Sequence, residues 1–314
     1  MTAVFLGTLS PMLLMFACMV IGFVLNKKKI CPDNTASVLS KLEANVLLPA
    51  LTINTFSKYC TVESLSEQYQ RILFSVLVLA VAIGIALALA SFFTGKGYNR
   101  NVYRYALTFG NFGFMGNAIV PAILGEAALY DYMLFTLPIT IAAYTWGIAG
   151  LIPKGEGKRN PLKNLMNPPV FSVVIGIALG LTGVSSYLPA FVGSTLSGLG
   201  SCMGPIAMVL TGFLIGQYPI KKLLGDKKIY IASALRLLVL PALFIVILKL
   251  LGADNTTLIL CLFAYGTPLG LNTVVFPAAY GGDPSTGVSM ATISHTVCVV
   301  TIPVMYALLT TLIL

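Results

Sequence analysis

Long apolar runs follow one another along almost the whole chain, separated by short polar or glycine- and proline-rich turns. A helix needs about 20 apolar residues to cross the hydrocarbon core of a bilayer, so the pattern predicts ten membrane-spanning helices. The predicted spans cover residues 4–25, 37–57, 70–94, 102–124, 130–152, 168–184, 191–216, 229–250, 256–279 and 287–313. The sixth is short and starts at prolines, and the turn sequence YGGDPST joins the last two.

Composition supports the same class of protein. The chain is 57% hydrophobic and 9% charged, whereas a soluble domain carries about 25% charged residues. An all-α integral membrane protein is therefore expected. The net charge of +9 lies in short clusters between apolar runs and not in a patch interleaved with aromatic residues, so nucleic-acid binding is not expected.

The positive charges also predict the orientation of the chain. The loops after the first, third, fifth and seventh spans, with their flanks, contain fourteen of the nineteen lysines and arginines. These are Lys27, Lys28, Lys29, Lys96, Arg100, Arg104, Lys154, Lys158, Arg159, Lys163, Lys221, Lys222, Lys227 and Lys228. Positive loops stay on the cytoplasmic side, so we expect a multi-pass protein of the plasma or inner membrane with both termini outside. The first lysines follow the first apolar run, which is typical of a retained span and not of a signal peptide.

The chain carries a faint internal repeat. A shift of 156 residues superposes Pro49 on Pro205, Gly110 on Gly266 and Pro121 on Pro277. Each repeat then holds five spans, and an odd number makes the second copy enter the membrane from the opposite side. Two inverted five-helix repeats are predicted, at 1–155 and 168–314, with a linker at 156–167; this architecture recurs in secondary transporters.

Two predicted spans contain residues that interrupt helices: GNFGFMGNAIVP at 110–121 and its repeat partner GTPLGLNTVVFP at 266–277. Glycine lets the chain leave helical geometry and proline removes a backbone donor. In a membrane, the freed backbone groups are tolerated only where protein or a water-filled cavity satisfies them. We therefore predict broken, crossed fourth and ninth helices. The predicted helix-breaking residues are Gly110, Gly116, Pro121, Gly266, Gly270 and Pro277.

The predicted breaks suit an anion. A half-helix that begins after a break directs amide N–H groups, with a partial positive charge, into the membrane. Neutral hydrogen bonds and close backbone approach would come from Asn111, Gly113, Asn117, Thr267, Asn272 and Thr273. Neither break contains Asp, Glu, Lys or Arg, which disfavours a sodium site, although carbonyl and hydroxyl oxygens could still form one. The alternative is that these small residues only allow close helix packing.

Four ionisable residues in or near spans are candidates for proton binding or gating. Glu67 and Arg71 are four residues apart at the outer end of the third span, where a surface ion pair is the simpler interpretation. For Glu43, pairing with a lysine or contact with cytoplasmic water is the simpler one. His295 lies within the tenth span, as a hydrogen-bonded packing residue or a proton carrier.

The stretches GNFGFMGNAIVPAILG (110–125) and NTVVFPAAYGGDPSTGVSMATISHTVCVVTIPV (272–304) resemble the bacterial auxin efflux carrier family. This family comprises PIN-like and malate-permease-type transporters and is distantly related to bile-acid sodium symporters. The resemblance implies a dimerising scaffold (1–58 and 168–216) and a transport domain (69–152 and 228–314) that moves like an elevator. It also implies that Asn111 and Pro268 are crossover residues, and that both belong to the substrate-binding site. Glu67 and Arg71 match in kind the acid and base of the plant members.

The sequence departs from those plant carriers in two places. The linker between the halves is short, and no proline lies beside Asn111. Auxin therefore need not be the substrate, and regulation through a long cytoplasmic loop is not expected.

The function predicted is secondary transport of a small organic anion, such as a mono- or dicarboxylate, by a homodimer in the lipid bilayer. A sodium-coupled symporter of the bile-acid type is the alternative, and a channel stays open. No HExxH, GxSxG or clustered acids indicate an enzyme. No metal site or resident cofactor is expected, while coupling to H⁺ or Na⁺ is left open.

Overall fold

The fold is described from a computed structural model, which covers residues 1–152, 167–279 and 281–314. Within these ranges the chain is helical and contains no strand. The linker predicted at 156–167 lies, except for its last residue, outside the described residues.

The helices overlap the predicted spans, except for two short ones, Val62–Glu67 and Ile220–Leu223, which fall between spans. In chain order they are α1 (Thr2–Lys27), α2 (Thr35–Tyr59), α3 (Val62–Glu67), α4 (Tyr69–Phe93), α5 (Tyr98–Thr108), α6 (Phe112–Leu124), α7 (Glu126–Leu151), α8 (Pro168–Thr182), α9 (Ala190–Gly216), α10 (Ile220–Leu223), α11 (Lys227–Leu250), α12 (Asn255–Tyr265), α13 (Asn272–Ala279) and α14 (Ser285–Leu312). A short 3₁₀ turn, Val184–Tyr187, separates α8 from α9.

Seven of these helices, α1, α2, α4, α7, α9, α11 and α14, are long and apolar enough to cross a membrane. The described chain is therefore that of a multi-pass membrane protein. The remaining predicted spans differ in kind. The sixth is the short apolar helix α8, and the fourth and ninth are each interrupted, as α5–α6 and α12–α13.

Wide π turns place two charged residues inside spans. One π turn, Glu43–Leu47, precedes Pro49 in α2, and another, Leu235–Val239, precedes Pro241 in α11. A proline has no N–H for the carbonyl one turn back, and a locally wider turn is one way for a helix to accommodate it. Glu43 and Arg236 lie in these turns, and both are buried.

Helices α1, α2, α8 and α9 pack together with their backbones in contact. A Cβ atom on Gly22 of α1 would overlap the carbonyl of Val209, and one on Gly212 of α9 would overlap the carbonyl of Met19. Small residues at helix crossings are the usual means of close packing in membranes. Helices α4 to α7 and α11 to α14 supply the residues around the two interruptions.

Candidate functional site

The two helix interruptions touch each other. Between α5 and α6, the backbone N–H of Asn111 donates to the carbonyl of Pro268, which lies between α12 and α13, at 2.7 Å. Gly110 and Leu269 form an antiparallel backbone bridge, the one isolated bridge within the described residues. Two segments more than 150 positions apart in sequence thus make one junction.

Backbone groups freed at this junction find partners within the protein, as hydrocarbon requires: the N–H groups of Asn111 and Leu269 are both bonded. Phe109 is extended, with φ −114° and ψ 112°. The N–H of Leu269 donates to the hydroxyl of Ser294 on α14 at 3.1 Å. A Cβ atom on Gly270 would crowd the carbonyl of Phe109. Glycine is therefore needed at position 270 because the two chains approach so closely.

A cavity of about 80 Å³ lies beside the junction. Its walls come from α2, α6, α7, α8 and the start of α13, and none of its lining residues carries a charged side chain. Its polar lining residues are Thr52, Asn111, Asn117, Thr136, Thr140, Tyr144 and Asn272. The rest of the wall is apolar, so a ligand would be held by neutral dipoles and shape.

Both helices that start after the interruptions reach this cavity. Phe112, Gly113 and Phe114 form the first turn of α6 and line it, and Asn272 begins α13 and lines it as well. The first amides of a helix have no acceptor within that helix and form the positive end of its dipole. At the start of α13, however, the N–H groups of Thr273 and Val274 already donate to the carbonyls of Gly270 and Leu271, so the anion-binding polarity of the breaks stays a prediction.

Asn111 is positioned by His295, although the two are 184 residues apart. The Asn111 amide nitrogen lies 2.9 Å from Nε2 of His295, and Nδ1 of the same ring lies 2.8 Å from the carbonyl oxygen of Ala291. A carbonyl only accepts, so Nδ1 carries the proton and Nε2 accepts from Asn111. Both side chains are buried. His295 is thus a hydrogen-bonded residue beside the cavity, one of the two interpretations open from sequence.

Asn117 lines the cavity and is buried, yet its side-chain oxygen has no hydrogen-bond partner among the described residues. Asn272 donates from its amide to the hydroxyl of Tyr105 at 2.7 Å. Buried polar side-chain atoms are usually hydrogen-bonded. The side-chain oxygen of Asn117 is therefore an acceptor available to a donor group of a ligand, and not a donor to a carboxylate.

Three predicted binding residues, Thr267, Pro268 and Thr273, are absent from the cavity wall. Thr267 donates to the carbonyl of Ala264 at 3.1 Å, and Thr273 donates to the carbonyl of Gly270 at 2.8 Å. Both are fully buried. They stabilise the second interruption, together with the carbonyl of Pro268.

Arg236 was missed as a site residue from the sequence. It is 1% exposed, and its guanidinium donates to the carbonyls of Leu107 at 3.2 Å, Thr108 at 3.4 Å and Ala264 at 3.2 Å. Its Cζ atom lies 5.0 Å from the ring centre of Tyr265. The signal available was a lone arginine within the apolar run 229–250, since intramembrane charges are costly and rare.

The predicted helix-breaking residues divide into two groups. Gly110, Gly266 and Gly270 lie at the interruptions. Gly116 is in the π turn of α6, where a Cβ atom would overlap the hydroxyl of Tyr132.

The prolines differ from the expectation. Pro121 lies inside α6 and Pro277 inside α13, so neither breaks its helix. A proline beyond the first turn removes one intrahelical bond and crowds the carbonyl four residues back, yet both helices continue past it. The breaks are made instead by the glycines and by Pro268.

The predicted Glu67–Arg71 pair does not form. Helix α3 ends at Glu67 and α4 begins at Tyr69, so the two residues do not share a helix face. Arg71 pairs instead with Asp131 of α7 at 3.2 Å and with Asp254 at 3.0 Å. Burial acts to raise the pKa of Asp254, but hydrogen bonds from Thr257 and Arg71 outweigh it and hold that pKa below its usual value.

The environment of Glu43 also differs from the simpler interpretation, in which it pairs with a lysine or contacts water. It is fully buried, and neither carboxylate oxygen has a hydrogen-bond partner among the described residues. It neither pairs with a lysine nor faces water, and it does not line the cavity beside the junction. A proton-binding role for Glu43 stays a prediction.

Comparison with known proteins identifies the family. The model of a family described as membrane transport protein matches residues 8–159 and 156–306. A protein named an uncharacterized transporter, from Methanothermobacter thermautotrophicus strain Delta H, is 22% identical over 248 residues, which cover 76% of this chain and 77% of that protein. The resemblance drawn from the two broken spans is confirmed. The chain therefore belongs to the auxin efflux carrier-like family of membrane transport proteins.

Proposed function

We propose that this membrane transport protein is a secondary transporter of small organic anions, and that the anion binds in the cavity beside the helix junction. One observation carries the proposal. Two helix N-termini and the amides of Asn111, Asn117 and Asn272 line one cavity that has no charged side chain in its wall. Helix N-termini bind carboxylates and other anions through oriented N–H groups.

The charge behind the cavity supports an anion over a cation. Arg236 makes no ion pair with a carboxylate within the described residues, and it lies against the backbone at Gly110, a residue that lines the cavity. A positive charge in a low-dielectric region attracts an anion more strongly than it would in water. No carboxylate is present in the wall to coordinate a hard cation.

The size of the cavity favours a small ligand. One water molecule needs roughly 10–15 Å³ of such volume, so about 80 Å³ holds a ligand of several non-hydrogen atoms. A mono- or dicarboxylate suits it, and a steroid-sized anion does not. The sodium-coupled alternative of the bile-acid type is correspondingly disfavoured.

We propose an elevator-type cycle in which a transport domain moves along a scaffold, each of them built from helices of both inverted repeats. On one side the cavity is lined by Leu48 and Thr52 of α2 and by Val173 of α8; on the other it is lined by α6, α7 and α13. A cavity at such a boundary changes its access when one group of helices slides along the other. In this proposal α1, α2, α8 and α9 form the scaffold of a homodimer in the cell membrane, with both termini outside.

Flux measurements test this function. Proteoliposomes containing the purified protein are assayed for uptake of radiolabelled mono- and dicarboxylates with and without a sodium gradient and a proton gradient. We expect saturable carboxylate flux that does not require sodium. Flux that depends on a sodium gradient would favour the symporter alternative. Planar-bilayer currents far above carrier turnover would instead indicate a channel, and flux of none of the carboxylates would overturn the proposal.

A further inference from the structure

The C-terminal ends of both interrupted helices meet at one side chain. Leu107 and Thr108 are the last two residues of α5, and Ala264 is the next-to-last residue of α12. The last four carbonyls of a helix have no partner within it and form the negative end of its dipole. In the membrane interior, two such ends close together require a positively charged or hydrogen-bonding partner.

Arg236 supplies that partner. Its guanidinium donates to the carbonyls of Leu107, Thr108 and Ala264 at 3.2 to 3.4 Å, and it lies over the ring of Tyr265. Gly110 leaves the space, because a Cβ atom there would overlap both the guanidinium and the hydroxyl of Thr267. The π turn of α11 carries Arg236 to this position.

We propose that Arg236 is a resident cation, occupying a cation-binding site formed by the C-terminal carbonyls of α5 and α12. Carbonyl oxygens, the hydroxyl of Thr267 and an aromatic face are groups that bind small monovalent cations and guanidinium. Because the charge of Arg236 is covalently attached, the junction needs no soluble cation during transport. This independence of transport from a soluble cation rests on the proposed function, whereas the assignment of the cation-binding site does not.

Removing the guanidinium tests the site directly. We expect Arg236→Ala to lower the thermal unfolding midpoint, and millimolar guanidinium or sodium chloride to restore it saturably. A restored shift of about 2–4 °C is the size expected for a ligand that recovers about 1 kcal/mol. Choline chloride at equal ionic strength should not restore it. Lys249→Ala is the control, since Lys249 is a cation bonded to the carbonyl of Ile313 at an exposed site.

The outcomes are distinct. If neither guanidinium nor sodium stabilises folded Arg236→Ala more than choline does, or if Lys249→Ala responds equally, the proposal is wrong. Should Arg236→Ala not fold, Arg236→Lys is the second variant. It keeps a positive charge but lacks the planar guanidinium, whose two terminal nitrogens donate to both α5 and α12. It should be less stable than wild type and insensitive to sodium; a sodium response would contradict the proposal.

The unmodified protein gives a further test. We expect its unfolding midpoint and its carboxylate flux to be the same in sodium and in choline salts. Flux that requires sodium overturns the resident-cation proposal while leaving anion transport intact. A complete lack of flux, with guanidinium rescue of Arg236→Ala, would instead overturn the proposed function alone.

Discussion

Asn111 and His295 form the best-defined polar pair beside the cavity. Nε2 of His295 accepts from the amide of Asn111, and Nδ1 is committed to the carbonyl of Ala291. The pair fixes which way the Asn111 amide faces. A ligand meeting a pre-oriented amide does not have to order that amide on binding.

Replacing His295 therefore weakens binding without touching the cavity wall. We expect His295→Phe to reduce the affinity for a small carboxylate by about tenfold, because the amide of Asn111 loses its acceptor and its orientation. Isothermal titration of the purified variant measures this. His295→Gln, which retains an acceptor, should lose less, and equal affinities for wild type and His295→Phe would contradict the assignment.

Gly110 and Gly113 provide a matched pair of glycines in one interruption. A Cβ atom at Gly110 would overlap Arg236 and Thr267, whereas one at Gly113 meets nothing within 4 Å. We expect Gly110→Ala to lower the unfolding midpoint by at least about 2–4 °C. Gly113→Ala should stay near wild type in the same thermal scan. Equal unfolding midpoints for the two variants would show that the fold does not depend on the close approach of Arg236 and Thr267 to Gly110.

At the scale of elements, the interruption in α12–α13 depends on Pro268 and not on the later prolines. An N–H at position 268 could donate to the carbonyl of Ala264, which now accepts from Arg236 and Thr267. The helix could then extend through the junction. Pro121 lies within α6, where an added N–H only completes a helical bond.

The two prolines are therefore expected to differ. Pro268→Ala should reduce carboxylate flux by about tenfold or more, whereas Pro121→Ala should retain flux within about twofold, because only the former competes for a carbonyl at the junction. Flux assays in proteoliposomes, at matched protein density, compare them. A larger loss with Pro121→Ala than with Pro268→Ala would mean that Pro121 shapes the break after all.

Arg71 joins three elements, since it pairs with Asp131 of α7 and with the capping residue of α12, Asp254. Because the pKa of Asp254 is lowered in the folded protein, its ionised carboxylate stabilises the fold fully at pH values above its unfolded pKa of about 3.9. This stabilisation is lost as the pH falls through the folded pKa of Asp254. Arg71→Gln should therefore be slightly less stable than wild type at pH 6, with the difference shrinking below about pH 4. A pH-independent difference in unfolding midpoint would contradict this.

The helices themselves could be predicted because apolar run length and membrane thickness determine them almost alone. The bounds of α1, α4 and α9 differ from the predicted spans by at most two residues. The composition of the interruptions was also informative, since Gly, Asn and Pro are costly in hydrocarbon. The residues that contact the interruptions could not be predicted from the sequence, because His295 and Arg236 reach the junction only through the packing of distant helices.

At the scale of the whole molecule, the cavity lies where two groups of helices meet. Its wall combines α2 and α8 with α6, α7 and α13. The same boundary contains a close contact, where a Cβ atom on Gly204 of α9 would overlap the side chain of Ala118 of α6. Small residues there suit surfaces that slide past each other, as the proposed elevator requires. A single sequence specifies such residues but not the surface that they face.

The central claim is that the cavity at the junction binds a small organic anion. The most direct measurement is titration of the purified protein with a panel of small mono- and dicarboxylates, comparing wild type with Asn111→Ala and Asn45→Ala. Asn45 is the control, an exposed asparagine bonded to the carbonyl of Lys41 in its own helix. We predict saturable carboxylate binding that Asn111→Ala weakens by about tenfold or more and Asn45→Ala leaves unchanged. Wild-type affinity in Asn111→Ala, or binding of none of the carboxylates, would contradict the account.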